Sequence, residues 1–163
     1  MVAYDLRMKT YDLKICLPFP KKWARKGGWY MNAITSPELA LFNAVFSYAR
    51  NRVCERVYDI PPDKQATCPF IVLGTEQTTG TENKSDIDKR LFLTVHIWCT
   101  TEQRQELELI RAKLVNLKKI RAMGFSFIAR PDEETSDTII DATVPNTQFL
   151  HGTVTLVYDT YNL

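Results

Sequence analysis

No stretch of this 163-residue chain stays apolar for more than four residues; 39–42 and 70–73 are runs of that length. A membrane-spanning helix needs roughly 20 apolar residues, so a transmembrane helix is excluded. Glycine is scarce, and of Gly27, Gly28, Gly74, Gly80, Gly124 and Gly152 only the first two are adjacent. They lead into Trp29 instead of the Lys-Ser/Thr of a phosphate-cradling loop, so nucleotide binding by a known motif is not expected. Cys16, Cys54, Cys68 and Cys99 contain no Cys-x-x-Cys pair and lack the spacing of a zinc site. Buried, reduced thiols in a cytosolic protein are expected.

Histidine is scarcer still, with only His96 and His151. Both fall on non-core faces of the strands assigned below, and they approach one another if those strands pair. A catalytic or metal site requires a third converging group, and the sequence names none. The expectation is a chain with no catalytic residue, no metal and no cofactor, which is not an enzyme.

What the chain does have is the composition of an ordinary globular domain, 45% hydrophobic and 25% charged, at a length that suits one core. Its net charge of +2 is unevenly spread. Residues 1–30 hold seven Lys/Arg against Asp5 and Asp12, giving +5, and the remaining 14 basic and 17 acidic residues give −3. Charges at Asp5, Arg7, Lys9 and Asp12 break the apolar continuity that a signal peptide needs. Apolar residues alternate at Tyr4, Leu6, Met8 and again at Leu13, Ile15, Leu17, as in short strands. A Pro-Phe-Pro break then leads into Lys21, Lys22, Arg25 and Lys26 interleaved with Trp23, Trp29 and Tyr30.

We read residues 1–30 as a basic arm and 31–163 as the domain. The arm suits phosphate contact and base stacking, or equally adhesion to an acidic protein neighbour. The run from Lys26 to Met31 also fits a translated ribosome-binding site ahead of a start at Met31.

From Ser36 the signals are local and clear. Ser36-Pro37-Glu38 combines an N-cap, a first-turn proline and an acid; Leu39, Phe42, Phe46, Ala49 and Val53 then mark one helical face. Short strands are expected at 57–60 and 70–73, then a polar loop at 75–88. Residues 90–100 alternate strictly, with Leu91, Leu93, Val95, Ile97 and Cys99 on one face and Phe92, Thr94, His96 and Trp98 on the other. The first face is core; the second is too aromatic for bare surface and calls for a cover, either the arm or a neighbouring subunit.

A second helix spans 105–117 with Leu107, Ile110, Leu114 and Leu117 inward. Strands follow at 125–130, 138–143 and 149–158, and the acidic run Asp132-Glu133-Glu134 between them reads as a solvated turn. The order implies an α+β fold, a mostly antiparallel sheet with two amphipathic helices on one face.

Glu38-Leu39-Ala40-Leu41-Phe42-Asn43-Ala44-Val45, Arg56-Val57-Tyr58-Asp59-Ile60-Pro61 and Cys68-Pro69-Phe70-Ile71-Val72-Leu73-Gly74 resemble the opening of the tail completion, or tail terminator, proteins of long-tailed phages. Leu93-Thr94-Val95-His96-Ile97-Trp98 with the helix after it, and Leu150-His151-Gly152-Thr153-Val154, resemble that family's later strand, second helix and closing strand.

The resemblance runs over residues 31–158. It implies a virion protein of the head–tail junction, assembled in the host cytoplasm as a homohexameric ring that stops tail-tube polymerisation. Its implied partners are further copies of itself, the tail tube protein and the head connector. Neither a membrane nor direct nucleic-acid contact is implied, beyond DNA passing through the lumen. In that setting Phe92, His96 and Trp98 become candidate subunit-interface residues. Glu82, Lys84, Asp86, Asp88, Lys89 and Arg90 become a candidate tube-contacting or lumen loop. Lys21, Lys22, Trp23, Arg25, Lys26 and Trp29 become arm contacts. The alternatives are another head-to-tail joining or neck ring protein, and a nucleic-acid-binding module that uses the arm.

Overall fold

The computed structural model describes residues 36–62, 66–79, 89–143 and 147–163. Helix α1 (Pro37–Tyr48) begins as its sequence requires: Ser36 Oγ accepts from Leu39 N at 3.2 Å, and Pro37 opens the first turn. Its buried face is not the expected one. Ala40, Leu41, Ala44, Val45 and Tyr48 face the core, Leu39 is 52% exposed, and Phe42 and Phe46 stack on one another at the flank. Two apolar stripes run along this helix, and the stripe with the alanines lets its backbone approach the sheet most closely. The helix then widens into a π-helical turn (Ala49–Val53) that closes with Cys54 N–H on Ala49 O at 2.9 Å.

A short β1 (Val57–Tyr58) runs parallel to β2 (Phe70–Thr79), which carries a register shift between Leu73 and Glu76. Residues 75–79 are therefore strand and not the start of a loop. β3 (Lys89–Thr100) pairs antiparallel with β2 and, over all of its length, with the 14-residue β7 (Phe149–Asn162). Between β3 and α2 (Arg104–Val115), Thr100 and Gln103 form a reciprocal capping box over a short 3₁₀ turn. Leu107, Ile110 and Leu114 of this helix are buried, as their spacing requires, and so is Leu117 just past its end, where the expected helix runs two residues farther.

A further strand, β4 (Lys119–Ala122), follows α2 where none is expected from the sequence. It forms a hairpin with β5 (Phe125–Ala129) through Met123 and Gly124, both at positive φ, 50° and 85°. β5 and β6 (Thr135–Asp141) lie on the same edge of β7, so residues 125–141 act as one strand interrupted at 130–134. The sheet order is β1-β2-β3-β7-β5-β4, with β6 on β7, and every pairing but β1–β2 is antiparallel. The molecule is an α+β fold with both helices on one face of a curled sheet.

Leu91, Leu93, Val95, Ile97 and Cys99 meet Leu150, Val154, Leu156 and Tyr158 under the helices. Gly152 completes this floor, because a Cβ there would come within 3.2 Å of the Leu107 side chain. Tyr158 Oη donates to Leu117 O at 2.9 Å, so this fully buried phenol is satisfied. Only Cys99 of the described thiols is fully buried; Cys54 and Cys68 are half-buried. No described helix is long and apolar enough to cross a membrane.

The acidic run is not a plain solvated turn. The excursion at 130–134 folds over the helix-free face, where Glu133 takes Arg90 Nη1 at 2.8 Å. Arg90 Nε meanwhile donates to its cross-strand partner Asp159 at 2.8 Å, and Arg130 stands 3.7 Å from the other Asp159 oxygen. Asp159 is 3% exposed, so its charge depends on these cations. Arg90→Ala should lower stability by about 2–3 kcal/mol, with Arg130 keeping the loss from being greater. Urea denaturation read by far-UV circular dichroism measures it.

Candidate functional site

The helix-free face carries the feature with most chemistry. Strict alternation sends Phe92, Thr94, His96 and Trp98 of β3 to this side. Register then supplies their neighbours: Phe70 opposite Trp98, Trp98 opposite His151, and His151 opposite Ile139 form one row across β2, β3, β7 and β6. Tyr58 extends it edge-on to Phe70, with ring centres 6.1 Å apart. Phe70 and Trp98 stack at 6.0 Å, and Trp98 and His151 at 4.0 Å with planes within 4°. In the next row Val72 faces His96, which faces Thr153. His96 Nδ1 and His151 Nε2 are 3.0 Å apart, one donating and the other accepting.

Gly74 makes room for this arrangement. A Cβ there would lie 3.0 Å from both His96 Nε2 and Thr94 O, so a larger residue would press on the imidazole and the strand beside it. The rings on this row are half-buried, and no layer of the described residues lies over them as the helices do on the other face.

Burial pushes the His96 pKa below its ordinary value. Burial does the same to His151, with the neighbouring His96 adding to it and Asp141 opposing it. Two neutral imidazoles therefore meet base to base, whereas nucleophilic catalysis needs a base against a nucleophile and an orienting acid. Among the described residues no three His, Cys, Asp or Glu side chains converge as metal ligands. Burial raises the Cys99 thiol to about 12, which removes it as a nucleophile at neutral pH.

No protein-family model matches the chain, and no curated protein matches it in sequence. A solved structure does match, with a TM-score of 0.55, 12% sequence identity, and coverage of 76% of this chain and 96% of that one: a chain described as "Virion of native gene transfer agent (GTA) particle". The fold is shared with a virion chain. At that identity the likeness is one of architecture, and it spans nearly the whole of the virion chain.

Phe92, His96 and Trp98 all stand on the helix-free face, but not in one cluster. His96 and Trp98 join His151, while Phe92 lies farther along β3 opposite Val157, near the Arg90 end. Phe70, Tyr58 and Ile139 were not singled out in the sequence; the parity of paired strands finds them only once the register is known. Lys89 and Arg90, read as loop residues, belong to β3. Lys89 Nζ bonds Glu38 Oε1 at 3.2 Å, joining β3 to the first turn of α1. Glu82, Lys84, Asp86 and Asp88, and the arm residues Lys21, Lys22, Trp23, Arg25, Lys26 and Trp29, lie outside the described residues.

The histidine pair gives a pH prediction with a definite sign. Both folded-state pKa values lie below the ordinary 6.5, so the unfolded chain binds protons first as pH falls. The stability of the neutral pair is fully present above pH 6.5 and is lost as pH drops through the folded-state values. Urea midpoints measured from pH 8 to 5 should decline below 6.5, and His96→Gln with His151→Gln should flatten that part of the profile.

Proposed function

We propose that this chain is a non-enzymatic structural virion protein that assembles as a ring at the head-proximal end of a phage tail tube. There it stops tube growth and offers the head connector a surface. The observation that carries the reading is the architecture held in common with a virion chain over nearly all of that chain's length. The order of segments resembling tail terminators agrees with it, and so does the half-buried aromatic row on a face without helices.

In this reading residues 31–163 are the assembling domain. The row around Trp98 and His96 meets a neighbouring copy, head to tail, in a ring that closes after one turn. Phe92 extends that contact along β3. The segment before β3, with Glu82, Lys84, Asp86 and Asp88, reaches the tube or the lumen. Halting a polymer needs no bond chemistry; it needs one surface that fits the tube end and a second that does not reproduce the tube's own binding surface. DNA passes through the lumen without being read.

Averaged electron micrographs of the purified protein test the ring, and a protein that stays monomeric at high concentration overturns it. Trp98→Ala should leave circular dichroism unchanged, since Trp98 is outside the core, and should abolish the ring in size-exclusion chromatography. Deleting the gene should give overlong tails. Tails of normal length beside separate filled heads would instead assign the chain to the neck.

A further inference from the structure

β6 is bonded to β7 on one side, and among the described residues no strand lies on its other side. Such an edge is normally blunted by charged side chains, lysine above all, by a proline or by a bulge. β6 has no lysine, proline or bulge; its charges are Asp137 and Asp141, and between them stand Ile139, 53% exposed, and Ile140, 62% exposed. Ile139 is on the helix-free face beside His151, and Ile140 is on the helix face beside Leu150. Two apolar side chains are therefore open on opposite faces of one unpaired strand. Arg111 Nη2 already takes Asp137 O at 3.0 Å and also bonds Thr138 Oγ1, so the unoccupied part of the edge is its Ile139–Asp141 end.

We propose that residues 13–17 of this same chain dock as an added strand along that end of β6. Their sequence, Leu13-Lys14-Ile15-Cys16-Leu17, alternates apolar residues with a lysine and a small thiol, the pattern that edge addition requires. The charges are complementary: residues 1–30 carry +5, and β6 carries Asp137 and Asp141 with no cation.

The connection is long enough. The described chain starts at Ser36, two residues from Glu38, which is tied to Thr78 and Lys89. Ile139 and Asp141 lie level with Trp98 and Thr100 at the far end of β3. That is a separation of about 40 Å by strand rise and spacing, whereas residues 18–35 extend to about 60 Å. A tethered segment that spans its site has an effective concentration in the millimolar range, so the chain's own segment outcompetes that of a second copy in dilute protein. The docked strand covers both isoleucines and closes an edge that would otherwise recruit strands from other molecules. This contact is independent of the ring, which is read on grids.

The test uses the full chain with Ile140→Cys. A short bismaleimide should join Cys16 to the new cysteine within one polypeptide, as mapped by peptide mass spectrometry, and Cys16→Ser should remove the link. Changing Leu13, Ile15 and Leu17 together to Ser, with Cys16 kept, should lose the link and speed hydrogen exchange across 139–141. No link, a link only between two polypeptides, or unchanged exchange at 139–141 overturns the proposal. A ring that persists through any of these outcomes leaves the tail reading standing.

Discussion

The antiparallel pairing of β3 with β7 is the constraint on which the rest of the structure depends. Twelve residues of β3, Lys89 to Thr100, each have a partner in β7. Because side chains alternate, that register assigns every residue of both strands to the helix side or the open side at once, and a slip of one residue would exchange the two sets. It is held at three places by different chemistry. Arg90 and Asp159 form a charge pair at one end, Leu93 meets Leu156 in the core at the middle, and Trp98 stacks on His151 near the other end. A slip would bury Arg90 under the helices and put leucines into water.

The two faces are then finished unequally. On one, α1 and α2 close over the sheet through small contacts, with Ala40 and Ala44 at one helix and Gly152 beneath Leu107 at the other. On the opposite face the excursion at 130–134 shelters the Arg90 end, so that Val157 and Asp159 are buried there. It does not extend to the Trp98 end. An aromatic and histidine row is left half-buried where the same pairing could have placed threonines throughout, as it does at Thr94, Thr153 and Thr155. This unequal finish of one face is what supports the contact surface proposed for it.

Much of this was legible from local pattern. The strict alternation in β3 and the 3,4,3 spacing in α2 each face only one core, so period alone gave the correct faces. α1 was misread because Leu39, Phe42 and Phe46 make as good a stripe as Leu41, Ala44, Val45 and Tyr48, and only close approach to the sheet prefers the second. β4, with two charges in Lys-Ile-Arg-Ala, has the composition of a helix end. Its one visible cue was the Met123-Gly124 turn, weak because methionine rarely takes positive φ. The continuity of β5 with β6 could not be read, since nothing local says that Asp132-Glu133-Glu134 leaves β7 and turns back to Arg90. For the site, alternation placed His96 and Trp98 on the open side, and His151 joined them conditionally. Phe70, Tyr58 and Ile139 required the register.

The geometry of the row also discriminates between kinds of partner. A platform for single-stranded nucleic acid presents the flat faces of separate aromatic rings, so that bases lie on them. Here Phe70, Trp98 and His151 stack on one another, with centres 6.0 and 4.0 Å apart, so their faces are occupied internally. What is left to meet a partner is a ridge of ring edges flanked by Ile139 and Tyr58. Ring edges and aliphatic side chains match the packed surface of another protein, where aromatic rings gain from burial and offset contact. The nearest cation on β3's open side, Arg90, is held by Asp159 and Glu133, and Arg56 beside Phe70 is turned to the carbonyls of Cys68 and Pro69. These features support the proposed protein neighbour on the helix-free face over a base-stacking one.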